Sequence, residues 1–230
     1  LGSRQRMLLA STPMLAAIRA DSPGKHFRLT IDGKHHAVAY PQVQAKAAVK
    51  QVADELRLGE VNLDFIAVEA ENPTWPFVHA LRMHDSPIER YAYTGEVMDV
   101  VADVHAPPIY VLKHLMGVKR PHEVDTTIRP WVPSPAHASY PSGHGTYAHA
   151  MAVVLNALTG ASDAAALPNL AAAVAKRREL AGVHTHLDSA MGAKLGAAIG
   201  AYMVAQANAG TDPEFAPWRT LFAMASSEWA

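Results

Sequence analysis

After Pro141 the chain reads as three alanine-rich runs with helical spacing, Ser142 to Leu158, Pro168 to Leu180 and His184 to Ala207. Small side chains on such runs let helices approach closely, so these segments constrain the fold more than any other part of the sequence. Pro168 falls in the first turn of the second run, where its missing N–H costs nothing. Upstream, Val49, Val52 and Leu56 recur among lysines and acids between Val43 and Leu58, which predicts an amphipathic surface helix. Phe77 to Met83 reads as a short helical piece. Ser86, Pro87 and Glu89 read as N-cap, N1 and N3 of a helix running toward Val104. Pro107 and Pro108 then restart the chain, and Ile109 to Met116 forms another helix that ends at Gly117. The one β signal is the alternation of Phe27 to Ile31 and Ala37 to Tyr40 around Asp32-Gly33, a hairpin signature. The expectation is an all-α helical bundle over residues 41–230, preceded by an N-terminal extension, residues 1–40, that carries a small β-hairpin.

Composition removes whole classes of chemistry. The 230 residues contain no cysteine, which excludes disulfides, thiolate metal sites and cysteine nucleophiles. A formal net charge of -1 argues against a partner held by bulk charge, such as duplex nucleic acid, so any anion must be bound locally. No uninterrupted apolar run approaches the roughly 18 to 20 residues that span a bilayer. The N-terminus admits two readings. Arg4 to Arg6 followed by Met7 to Ile18 resembles the basic and apolar regions of a secretion signal, but Pro13 interrupts the apolar run and Arg19 closes it. A frayed N-terminal helix is the other reading.

Chemistry concentrates between residues 113 and 188. Pro141-Ser142-Gly143-His144 puts a hydroxyl, a glycine amide and an imidazole where a proline-rich loop becomes a helix. Free N–H groups and the positive end of the macrodipole make such a terminus an anion site. Lys113 is followed after six residues by Arg120-Pro121, Arg178 after five by His184, and His184 after three by Asp188. Long cations, helix-terminal amides and two histidines are what a bound tetrahedral oxyanion requires: guanidinium forks, a point charge and proton-transfer groups. If His184 opens the third alanine-rich helix, Asp188 lies one turn on and can hold the imidazole in one tautomer. Any one block alone is unremarkable, and Ser142 alone is an N-cap. It is the three in order that point to a site.

These blocks resemble the signature of the superfamily that unites type 2 phosphatidic acid phosphatases, bacterial class A acid phosphatases and vanadium-dependent haloperoxidases: Lys-x6-Arg-Pro, Pro-Ser-Gly-His and Ser-Arg-x5-His-x3-Asp. The one departure is Arg177, where the family usually has serine. The resemblance implies that Lys113, Arg120, Ser142, Gly143 and Arg178 bind the oxygens of phosphate or vanadate. It makes His184 either a phosphatase nucleophile or the ligand to vanadium, and His144 a general acid and base.

Two reactions remain open on the residues. The loop Ser134-Pro-Ala-His-Ala-Ser-Tyr-Pro-Ser-Gly-His144 is similar to that of vanadium bromoperoxidases, with His137 seven residues before His144. Residues 85–121 are also similar to soluble bacterial haloperoxidase-like proteins. This favours a vanadate-dependent haloperoxidase using hydrogen peroxide and bromide, with His137 tuning halide oxidation. The short chain and the short gap from Pro121 to Pro141 suit a soluble acid phosphatase acting on phosphomonoesters through a phosphohistidine, with no cofactor. A non-catalytic oxyanion-binding module would explain the cations but would not require two histidines. Alanine-rich residues 190–207 can pack against a second subunit as easily as within one bundle, and a homodimer is the expectation.

Overall fold

The computed structural model describes residues 2–23, 26–58, 63–160 and 165–230. The chain begins with α1 (Ser3–Ala17), then strands β1 (Ile18–Asp21), β2 (Phe27–Ile31) and β3 (Lys34–Val38). Helices follow: α2 (Gln42–Leu58), α3 (Leu63–Glu71), α4 (Trp75–Ala80), α5 (Ala92–Met116), α6 (Pro121–Val124), α7 (Gly143–Thr159), α8 (Ala166–Leu180), α9 (His186–Asn208) and α10 (Ala216–Ser227). The fold is mostly helical, as the periodicity predicts.

The core lies around α5, α7 and α9. Val104 and Leu112 of α5, Met151 and Leu155 of α7, and Leu195 and Ile199 of α9 are all buried in one cluster with Trp218 of α10. A stripe of glycines on α9 explains how near α7 can come. A Cβ on Gly192, Gly196 or Gly200 would stand 2.8, 2.2 and 2.8 Å from the carbonyl oxygens of Ser142, Thr146 and Ala150. No real Cβ tolerates such distances, so the backbones meet at a separation that only glycine allows. The Ser142 N–H also donates to the Asp188 carbonyl at 3.0 Å, which ties the start of α7 to α9.

Four expectations need correction. The hairpin gains a third strand: β1 pairs antiparallel with β2, which pairs with β3, and Asp32 and Gly33 make the predicted turn with positive φ at both positions. The N-terminal helix is anchored rather than frayed. Ala10 and Met14 are fully buried in the common core, and Arg6 forms an ion pair with Glu96. Pro107 and Pro108 do not restart the chain, because α5 continues through both. Each removes one helical hydrogen bond, at about 3 kcal/mol by propensity. Val104, Pro108, Ile109 and Leu112 form one buried face, whose burial outweighs that cost. Ser86 does not cap α5: it closes a 3-10 turn over Met83–Asp85, and a second such turn over Ile88–Tyr91 precedes the helix. The cap comes from the far end of the chain: the Glu228 carboxylate accepts from the N–H groups of Tyr93 and Thr94, both at 2.8 Å.

Among the described residues no helix is long and apolar enough to cross a membrane.

Candidate active site

Lys113 stands in the last turn of α5, and Gly117 closes that helix. Arg120 precedes the short α6, with its N–H donating to the Glu123 carboxylate at 2.6 Å. Ser142 is the N-cap of α7, accepting from the Gly145 N–H at 3.2 Å. Arg178 lies in the last turn of α8. The structure brings these four elements to one cavity of ≈ 420 Å³, lined among others by Lys113, Arg120, Gly143, His144, Arg178 and His184. His137 lines it too. Ser142 and Asp188 stand just behind the wall, fully or almost fully buried.

The placement of His184 differs from expectation. It does not open α9; Thr185 is the N-cap, and His184 sits one residue outside the helix. Its pairing with Asp188 survives because Asp188 is the N3 residue, whose carboxylate reaches back over the helix start. Asp188 Oδ2 accepts from the Thr185 N–H at 2.7 Å and from the Ser139 hydroxyl at 2.7 Å, and His184 Nδ1 lies 3.3 Å away. Placing the proton on Nδ1 satisfies this arrangement and leaves Nε2 as the lone-pair nitrogen. Desolvation lowers the His184 pKa to about 3, against the opposing pull of Asp188. The ring is therefore neutral and able to act as a ligand or nucleophile.

His144 has a different support. Its Nε2 lies 3.2 Å from the Glu69 carbonyl, an acceptor, so Nε2 carries the proton and Nδ1 is left able to take another. Desolvation, then the nearby Arg178, lower its pKa to about 4. His137 Nδ1 lies 3.2 Å from Arg120, which can only donate, and 3.1 Å from the Ala138 carbonyl, which can only accept. Its other face packs edge-on against Tyr110 at 5.0 Å. Burial, then the charges of Lys113 and Arg120, hold its pKa below the ordinary value against the opposing pull of the Ala138 carbonyl.

The cations are deeply buried: Lys113, Arg120 and Arg178 are each 1% exposed. Their direct partners are mostly neutral carbonyls. Lys113 Nζ donates to Ala138 and Ser139 at 2.9 and 2.7 Å. Arg120 donates to Pro135 and His137 at 3.1 Å each and to Val183 at 2.7 Å. Arg178 donates to Ile66 at 2.8 Å and reaches the Glu69 carboxylate at 3.4 Å, and its Nε has no partner among the described residues. Buried charge of one sign without its counter-charge is costly. Its cost is visible in Lys113, whose pKa burial and Arg120 lower to about 7 despite Asp188. A bound oxyanion would relieve this imbalance. Gly143 lines the cavity at the helix start, where a Cβ would meet Lys113 Cε at an ordinary contact distance of 3.8 Å.

Two contributors were not legible in the sequence. Ser139 joins His184 to Asp188, and its only signal was membership of the loop before Ser142. Glu69 lies on α3, a helix for which the spacing gave no prediction. Its sole hint was one acid in the apolar run Phe65 to Ala70. Its carboxylate, wholly buried, accepts from Arg177 Nε at 2.8 and 2.9 Å, and Arg178 NH2 is 3.4 Å away.

Compared with known families, residues 100–212 match the PAP2 superfamily. No curated protein matches the chain. The matched stretch holds every block of the pocket from Lys113 to Asp188 but not α3. The chain thus carries a PAP2 superfamily domain, whose members are typically phosphatases or haloperoxidases.

Proposed function

We propose that this pocket holds vanadate and that the protein oxidises bromide with hydrogen peroxide. The residues suit such a group: three buried cations short of counter-charge, an orphaned Arg178 Nε, an open Gly143 amide and a neutral His184 with Nε2 free. Lys113, Arg120, Gly143 and Arg178, which line the cavity, would hold its oxygens, with Ser142 capping α7 behind them, and His184 Nε2 would bind the metal. Vanadate, when bound, supplies a Lewis acid that activates peroxide toward halide. The overall reaction joins peroxide, bromide and a proton to give hypobromous acid and water. His144 Nδ1 takes the proton from incoming peroxide, and Asp188 with Ser139 keeps His184 in the ligating tautomer. The observation that carries this choice of reaction is His137, which stands on the same cavity wall as His184, against Arg120, where it can meet the halide.

The second reading is a phosphomonoesterase, favoured by the neutral, Asp188-oriented His184. There Nε2 attacks phosphorus, the P–O bond to the alcohol breaks, and His144, having taken a proton at Nδ1 as the anion binds, gives that proton to the leaving oxygen. Water then cleaves the phosphohistidine.

A paired assay separates the two: bromination of a cyclic diketone with peroxide, and hydrolysis of p-nitrophenyl phosphate, each on vanadate-free and vanadate-loaded protein. Bromination only with vanadate is expected. Efficient hydrolysis that vanadate inhibits, without bromination, would transfer the assignment to the phosphatase. His184→Ala should abolish either turnover by at least about a thousandfold, as loss of a covalent or ligating group does; a protein that merely binds anions has no turnover to lose. His137→Ala should lower bromination about tenfold, the contribution of one pocket hydrogen bond, while vanadate still binds. Unchanged bromination kinetics would remove His137 from the mechanism.

A further inference from the structure

Resting on the reading of this pocket as an oxyanion site, we infer that Arg177 sets its affinity by holding the Glu69 carboxylate away from Arg178. Glu69 is fully buried between two arginines, yet the two contacts are unequal. Arg177 takes the carboxylate with Nε at 2.8 and 2.9 Å, and its NH2 also contacts Oε1. Arg178 reaches it only with NH2 at 3.4 Å, and spends the same nitrogen on the Ile66 carbonyl at 2.8 Å. Its Nε remains buried without a partner. Arg177 thus forms a fork-to-carboxylate pair of the strong kind, and Arg178 is left with a single, longer contact to the same carboxylate.

The consequence follows from what a buried carboxylate must do when its partner leaves. Without Arg177, Glu69 has one cation within reach, and closing onto Arg178 Nε and NH2 would satisfy both groups together. Arg178 would then be neutralised by the protein instead of by the ligand. Arg177 is therefore a positioning residue that acts through Glu69, and it does not itself line the cavity. The same helix end serves His144, through the Glu69 carbonyl, so one short element adjusts two of the pocket's groups. Both α3 and its carboxylate lie outside residues 100–212.

The test is calorimetric binding of inorganic phosphate and of orthovanadate, with a melting curve for each variant. Arg177→Ser should weaken binding about tenfold, as loss of one charge-assisted contact would. Arg177→Ser combined with Glu69→Gln should return to the wild-type affinity, because no carboxylate remains to occupy Arg178. Recovery in the double variant is what a merely structural role for Arg177 would not produce. If Arg177→Ser does not fold, Glu69→Gln alone carries the test: it should bind at least as tightly as wild type. Unchanged affinity in Arg177→Ser, a double variant as weak as the single one, or weakened binding in Glu69→Gln would each overturn the inference while leaving the pocket intact. Wild-type protein that binds neither ion would overturn the oxyanion reading and this inference with it.

Discussion

Lys113 shows how a single residue can report on the site. Burial and Arg120 bring its pKa to about 7, so at pH 8 it is largely uncharged when the pocket holds no anion. An oxyanion restores the charged form, and binding at pH 8 should take up a proton. Titration calorimetry with phosphate in two buffers of different ionisation enthalpy should give heats that differ by that enthalpy. In Lys113→Arg, whose guanidinium stays charged, the dependence should disappear. Identical buffer dependence in the two proteins would place the proton elsewhere. At this scale motif spacing was enough to pick out Lys113, Arg120, Gly143, His144, Arg178 and His184 as residues that meet at one cavity, with Ser142 just behind its wall. Ser139 and Glu69 escaped, since a serine in a loop and an acid in an apolar run acquire meaning only from what lies opposite.

Helix contacts explain why the site is held where it is. Gly196→Ala would put a methyl 2.2 Å from the Thr146 carbonyl, so α9 must lift off α7. A loss of about 1–3 kcal/mol is expected from such overpacking, and the Asp188–Ser142 bond should carry the displacement into the anion pocket. Gly95 on α5 is the control. A Cβ there meets nothing within 4 Å, and Gly95→Ala should stabilise by about 0.4–1 kcal/mol. Chemical denaturation reads both, and equal effects would remove close packing as the cause. Glu228→Gln should cost about 1–2 kcal/mol by weakening the cap on α5; an unchanged midpoint would mean solvent caps that helix as well. The sequence offered Ser86 as the cap because capping is normally local. It could not offer Glu228, more than a hundred residues away.

For the whole molecule, all four histidines that line the cavity resist protonation, three of them strongly. Desolvation lowers the pKa to about 4 in His105 and His144 and to about 3 in His184. Each binds a proton more readily in the unfolded chain, near pH 6.5, than in the folded one. Their contribution to stability is therefore complete above pH 6.5 and is lost as pH falls toward 4. Denaturation midpoints should drop over that window. Saturating phosphate should reduce the drop, because an anion favours the protonated rings; an identical pH profile with phosphate would separate these histidines from the pocket. By itself the sequence determined the helical class, the Asp32-Gly33 turn, the start of α7 at Ser142 and the order of the blocks that meet at the cavity. Each of these depends on residues within a few positions of one another, through hydrogen bonds and periodicity that neighbours decide. The tertiary structure alone decided that α5 runs through Pro107 and Pro108, that β1 joins the sheet and that Glu69 lies between Arg177 and Arg178. Those outcomes turn on burial and on charges brought together across long separations, such as the 108 residues between Glu69 and Arg177, and no local rule carries that information.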